Sequence, residues 1–221
     1  MTATAASALV LDFGGVISKT LFETHDATEA ALGLAPGTLT WRGPFAEDTD
    51  PLWSTMQRGE LSERDYWRTR SREVGQLVGE HWQDMQTFVR RARGADPMLV
   101  IRPEAERAIR IASTAGRKLA ILSNELDLFY GVDFRRKLPL LEHFDVIVDA
   151  THTDILKPDP RAYGSVCDAL GLAPGSCVFV DDQERNIKGA IACGLPTVWF
   201  DVRQPEDSYR KALHLLGLAF D

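Results

Sequence analysis

Five short apolar runs, each ending in polar residues and separated by helix-length segments, constrain this chain more than any other feature. They are ALVLDF (8–13), KLAILSN (118–124), DVIVDA (145–150), CVFVDD (177–182) and PTVWFDV (196–202). Each is nearly continuous in apolar residues instead of alternating, which is how strands covered on both faces of a parallel sheet read. The segments between them carry helix punctuation. Pro103 suits a first helical position and Gly116 a left-handed stop. In DPRAYGSVCDALG (159–171), Asp159 can cap, Pro160 opens the helix and Gly171 ends it, with Tyr163, Val166, Cys167 and Leu170 on one face. QERNIKGAIACG (183–194) places Ile187, Ala190 and Ile191 inward, with Gly194 as its stop. Strands alternating with helices predict an α/β fold, a doubly wound parallel sheet.

One segment breaks the alternation. Residues 20–96 contain helical patterns but no strand-like run. Ser62 is followed at the third position by Asp65, a variant of the capping box, and Trp82, Met85 and Val89 share a helical face. Four of the five tryptophans, Trp41, Trp53, Trp67 and Trp82, lie here, and packing core is their expected role. A length of 221 residues suits one large domain carrying an insertion. The expected division is a Rossmann-like core of residues 1–19 and 97–221 and an all-helical cap of residues 20–96.

Composition excludes several classes of function. With 25 basic and 32 acidic residues the net charge is −7, so neither nucleic acid nor an anionic membrane is an expected partner. The opening MTATAASALV has no basic stretch and too short an apolar part for a signal peptide or membrane span. Cys167, Cys177 and Cys193 have no metal-site spacing and are odd in number, which reads as three buried thiols in a reducing cytoplasm. The expected localisation is cytoplasmic, as a monomer or homodimer.

In an open α/β sheet, ligands bind beyond the carboxyl ends of the strands. There this chain places Asp12 after the first run, Ser123 and Asn124 after the second, Lys157 in ILKPDP after the third, and Asp181 and Asp182 after the fourth. Carboxylates gathered at one edge repel each other, and a hard cation such as Mg²⁺ relieves the repulsion. A hydroxyl, an amide and an ammonium beside them suit an anion, most simply a phosphate. A carboxylate facing such a phosphate can act as a nucleophile.

The order D-x-x-G-V, S-N, K-P-D-P-x-x-Y and V-F-V-D-D-x-x-x-N, with a helical insert after the first motif, resembles the haloacid dehalogenase superfamily. It is similar to the subfamily with a type 1 helical cap on a Rossmann-like core, within a phosphatase-like branch whose first motif is D-x-G. The resemblance implies a Mg²⁺-dependent hydrolase acting on a small phosphorylated metabolite through an aspartyl-phosphate. It makes Asp12 the nucleophile and Lys157 the residue that balances charge. Ser123 would bind the phosphoryl group with Asn124 beside it. The metal would be held by Asp12, the Gly14 carbonyl and Asp181, with Asp182 supporting its water shell. Asn186 would shape the last loop.

Gly14 departs from the pattern. Phosphatases of the family usually carry a second aspartate there, which protonates the leaving oxygen and later activates water. Glycine keeps the carbonyl and loses the acid, so good leaving groups are the expected preference. Glu23 and His25 are candidate substitute acids. Two alternatives follow from the same glycine. One is hydrolytic dehalogenation of a 2-haloacid, with Asp12 attacking carbon. The other is a catalytically silent relative that binds a phosphorylated ligand or a protein.

Overall fold

The computed structural model describes residues 5–93 and 97–220. Five strands, β1 (Ala8–Leu11), β2 (Lys118–Ser123), β3 (Val146–Asp149), β4 (Cys177–Asp181) and β5 (Thr197–Trp199), form one sheet in the order β3-β2-β1-β4-β5. All four pairings are parallel. The helices in chain order are α1 (His25–Leu32), α2 (Pro51–Gln57), α3 (Glu63–Leu77), α4 (Met85–Arg93) and α5 (Pro103–Thr114). They continue as α6 (Leu126–Tyr130), α7 (Val132–Arg135), α8 (Pro160–Leu170), α9 (Glu184–Ala192) and α10 (Pro205–Leu215). Among the described residues, no helix is long and apolar enough to cross a membrane.

The continuous apolar runs become strands because both faces of the sheet are covered. Ala8, Val10, Ala120, Leu122 and Phe179 meet Tyr163, Val166 and Leu170 of α8 and Ile187 and Ala190 of α9. The alternate residues Leu9, Leu11, Leu119, Ile121, Val178 and Val180 point to the opposite face and are fully buried as well. Helices α5 and α10 pack on the sheet from elements of that same unit. Fully burying a Val, Leu or Ile side chain contributes about 1.5–3 kcal/mol. That is comparable to the roughly 1–2 kcal/mol needed to order each residue's backbone, so strands buried on both faces can be short.

Each strand stops one to three residues earlier than its apolar pattern suggests. The polar residues at these ends bond to nearby loop N–H groups instead of extending the ladder. The Phe13 amide donates to Asp12 Oδ1 at 2.7 Å, and the Gln183 amide to Asp181 Oδ1 at 2.8 Å. One expected core residue is turned outward. Ile191 is 57% exposed, because the buried stripe of α9 runs through Asn186, Ile187 and Ala190. The polar Asn186 takes an inward position that an apolar count overlooks.

The chain divides into two compact units. The first holds the sheet. The second comprises Thr20–Leu99 together with Leu128–Lys137, the latter a stretch that the sequence pattern leaves in the core. Inside this helical unit Trp41, Trp53, Trp67 and Trp82 are all buried, packed with Phe22, Tyr66, Met85 and Phe88. Asp50, fully buried, accepts from Tyr66 Oη at 2.6 Å, from the Trp53 amide at 2.9 Å and from the Arg70 guanidinium. Asp84 Oδ1 accepts from the Thr87 amide at 2.7 Å, so α4 begins at Met85 and Trp82 precedes it. The ends of the insertion meet within the first unit. The Lys19 amide donates to the Val100 carbonyl at 2.7 Å and the Arg102 amide to Ile17 at 3.0 Å.

Candidate active site

The first strand lies in the middle of the sheet, and the chain then builds outward on both sides of it, to β2 and β3 one way and to β4 and β5 the other. The switch point is therefore at the carboxyl end of β1, where a crevice is expected. Register decides which residues meet there. Leu11 pairs with Ile121 on one side and Val180 on the other, so Asp12 and Asp181 leave adjacent strands at the same level. The Asp12 amide donates to the Val180 carbonyl at 2.9 Å. Oxygens of Asp12, Asp181 and Asp182 all lie within 4.8 Å of one another.

Lys157 enters this acidic group. Its Nζ is 2.9 Å from Asp12 Oδ1 and 2.7 Å from Asp181 Oδ2, with a side chain only 1% exposed. Burial by itself would lower the lysine's pKa, but Asp12 and Asp181 outweigh it and hold the ammonium above the usual lysine value. Asp181 is fully buried and both its oxygens are engaged. Oδ1 accepts from the Gln183 amide and from Asn186 Nδ2 at 3.0 Å, while Oδ2 accepts from Lys157 and from Asn186 Nδ2 at 3.1 Å.

The other expected residues take distinct places. Asn124 Oδ1 accepts from the Lys157 amide at 2.7 Å and its Nδ2 donates to the Lys157 carbonyl at 3.2 Å. Its side chain thus clasps the lysine's backbone, where the sequence pattern suggested a contact with substrate. Ser123 ends β2 next to β1, buried, and its Oγ accepts from the Glu125 amide at 3.4 Å. Glu23, in the helical unit, accepts from the Thr20 amide at 2.8 Å and from Thr20 Oγ1 at 2.9 Å. His25 is buried in that same unit with Nδ1 2.7 Å from Arg42 Nη1. Burial, followed by the Arg42 charge, pushes its pKa down to about 4, so the imidazole is neutral at pH 7 and is no ready acid.

The two glycines after Asp12 behave differently. A Cβ on Gly14 would meet nothing within 4 Å, and its φ is not in the left-handed region. Gly15 has φ +78°, and a Cβ there would lie 2.5 Å from Asp182 Oδ2. Glycine is required at 15 so that the Asp182 carboxylate can rest against the turn. The Gly14 carbonyl takes no hydrogen bond from the described residues. The three carboxylates, with the carbonyl of exposed Gly14 two residues after Asp12, would offer an all-oxygen donor set, which fits a hard divalent cation.

Sequence reasoning passed over several supporting groups. Trp199 Nε1 donates to the Asp182 carbonyl at 3.0 Å, which ties the edge strand to the acidic turn. Its place across the ladder from Asp181 was the available signal. A second group, Asp127, Asp149 and His152, lies in the same unit. His152 Nε2 is 2.7 Å from Asp127 Oδ2, and Asp149 accepts from the backbone amides of Asp127 and Thr151 at 2.8 and 2.9 Å.

Comparison with known proteins identifies the family. The sequence profile of the haloacid dehalogenase-like hydrolases matches residues 6–194. A phosphoserine phosphatase from Thermus thermophilus is 29% identical over 83% of this chain and 68% of its own. An (S)-2-haloacid dehalogenase, 4A, from Burkholderia cepacia is 30% identical over 71% of each. A crystal structure of a HAD-superfamily hydrolase from Geobacter sulfurreducens aligns over 98% of this chain and 100% of its own, with a TM-score of 0.60 at 17% identity, and so shares the fold. Over three other curated relatives the chain covers only 10%, 55% and 48% of their length. With the profile spanning most of its length and the fold agreeing, this chain belongs to the haloacid dehalogenase-like hydrolases.

Proposed function

We propose that this hydrolase cleaves small phosphomonoesters with Mg²⁺, forming an aspartyl-phosphate on Asp12. The observation that carries the reading is the gathering of Asp12, Asp181 and Asp182 oxygens within 4.8 Å of one another, at the carboxyl ends of β1 and β4. The phosphatases among the relatives, such as the phosphoserine phosphatase, support it. The partner is a small phosphorylated metabolite.

Asp12, oriented by the Phe13 amide and by Lys157, attacks phosphorus as the bond to the leaving oxygen breaks. Lys157 offsets negative charge on nucleophile and phosphate, and the Ser123 hydroxyl donates to a phosphoryl oxygen. Water then hydrolyses the acyl phosphate and restores the carboxylate. Mg²⁺, when bound, neutralises charge on the phosphoryl oxygens. We assign Asp12, Asp182 and the Gly14 carbonyl as its direct ligands. Because Asp181 spends both oxygens on Lys157, Asn186 and Gln183, we assign it to holding the lysine, which exchanges the roles of the two neighbouring aspartates expected from sequence. Asp182→Asn should therefore raise the Mg²⁺ dissociation constant about tenfold or more, measured by calorimetry. An unchanged constant would return the ligand role to Asp181.

The missing acid has a kinetic consequence. Leaving groups must depart largely unaided, so phosphoenzyme formation should slow steeply as leaving-group pKa rises. Gly14→Asp meets open space, and should flatten that dependence and speed alkyl phosphates by about 10²- to 10⁴-fold. Rapid-mixing measurements on substituted phenyl and alkyl phosphates decide this. A flat dependence in the unsubstituted protein would mean that another group supplies the proton.

Gly14 also favours a second reading, dehalogenation of a 2-haloacid by attack of Asp12 on carbon, the activity named for one relative. Hydrolysis of p-nitrophenyl phosphate with and without Mg²⁺, beside halide release from 2-chloropropionate, separates the two. Metal-dependent phosphate release supports the first, and metal-independent halide release the second.

A further inference from the structure

The run from Phe13 to Ile17 contains two adjacent glycines, and glycine loses more backbone freedom on ordering than any other residue. A turn of that composition holds one geometry only if its surroundings impose it. Four of its five carbonyls are held by protein donors. Phe13 accepts from the Ser18 amide at 2.9 Å and Ile17 from the Arg102 amide at 3.0 Å. Gly15 accepts from Arg102 Nε at 3.1 Å and Val16 from Tyr209 Oη at 3.0 Å. The two side chains come from distant parts of the same unit, Arg102 just before α5 and Tyr209 from α10. Both are buried, Arg102 to 3% and Tyr209 to 0% exposure. The Arg102 guanidinium lies 5.5 Å from the centre of the Phe200 ring, which supports the charge where water is excluded.

We propose that Arg102 and Tyr209 are positioning residues that lock the Gly14–Gly15 turn, so that its one carbonyl without a protein donor, Gly14, is kept for the metal. Burying a guanidinium is costly unless its N–H groups are satisfied, and the Gly15 carbonyl is one of the partners that satisfy this one. Its placement is understandable when the bond fixes a turn carrying chemistry. The two side chains hold the carbonyls of Gly15 and Val16, just after Gly14, while the Ser18 amide holds that of Phe13, just before it. The hydrogen bond from Arg102 Nε also holds the Gly15 peptide against which the Asp182 carboxylate rests. This inference rests on the proposed role of the Gly14 carbonyl as a metal ligand.

The test uses the full chain and Mg²⁺ alone. Amide hydrogen exchange in metal-free protein reads the clamp directly, and calorimetry reads the metal. Arg102→Met should speed exchange across residues 14–17 and raise the Mg²⁺ dissociation constant about tenfold or more. Tyr209→Phe removes a single hydroxyl and should shift both in the same direction by less, and Arg102→Lys should recover part of the affinity. If Arg102→Met does not fold, the Tyr209→Phe comparison decides. A role confined to stability would lower the melting temperature and leave Mg²⁺ affinity and the exchange of residues 14–17 relative to the rest of the sheet unchanged, and that result overturns the proposal. Failure of the unsubstituted protein to bind Mg²⁺ would instead overturn the metal reading, and this inference with it.

Discussion

Asp12→Asn should reduce turnover by about 10⁴-fold or more while leaving the protein folded. The amide matches the carboxylate in shape and can still accept from the Phe13 amide, which donates to Oδ1 at 2.7 Å. It is a poor nucleophile and a poor ligand for a hard cation, so both functions assigned to Asp12 fail together. Lys157 retains Asp181 at 2.7 Å, which limits the loss of stability. Single-turnover assays beside circular dichroism measure the two effects separately. Substantial remaining activity in a well-folded Asn variant would rule out the aspartyl intermediate.

Lys157→Met should damage activity and stability together. Its side chain is 1% exposed and contacts two carboxylates, one of them on the fully buried Asp181. Removing the cation leaves that charge without its partner, and losing one side of a buried ion pair costs about 3–5 kcal/mol. A bound divalent cation should narrow the deficit, since it offers the acidic group an alternative source of positive charge. Urea titrations with and without Mg²⁺ measure it. An equal deficit in both would mean that packing of the lysine stem, not its charge, is what the fold requires.

The parts of the site visible in sequence are those encoded by local pattern. An apolar run ending in Asp12, or in Asp181 and Asp182, announces both a buried strand and a carboxylate at its edge. The same holds for the helix start at Asp159 and the stripe of Tyr163, Val166, Cys167 and Leu170, all buried in the structure. What was hidden depends on partners distant along the chain. Asn124 reaches the backbone of Lys157, and Arg102 reaches Gly15, pairings that no periodicity encodes. The division of labour proposed for Asp181 and Asp182 is hidden for a related reason. Adjacent aspartates look alike in sequence, and only the donors around each distinguish them. Ile191 and the Leu128–Lys137 stretch differ from expectation because tertiary surroundings, rather than their own hydrophobicity, decide where they pack.

The bond between the Lys19 amide and the Val100 carbonyl makes the helical insertion a loop whose two ends are already joined. Closing a longer or shorter loop between such anchored points changes the free energy only slowly with length. Changes in the insertion's length should therefore leave Asp12 in place, since it lies on the sheet side of that junction. A lineage of such enzymes can revise the insertion while inheriting its reaction unchanged. A laboratory graft spliced at that junction would also have to suit Leu128–Lys137, which belongs to the same helical unit.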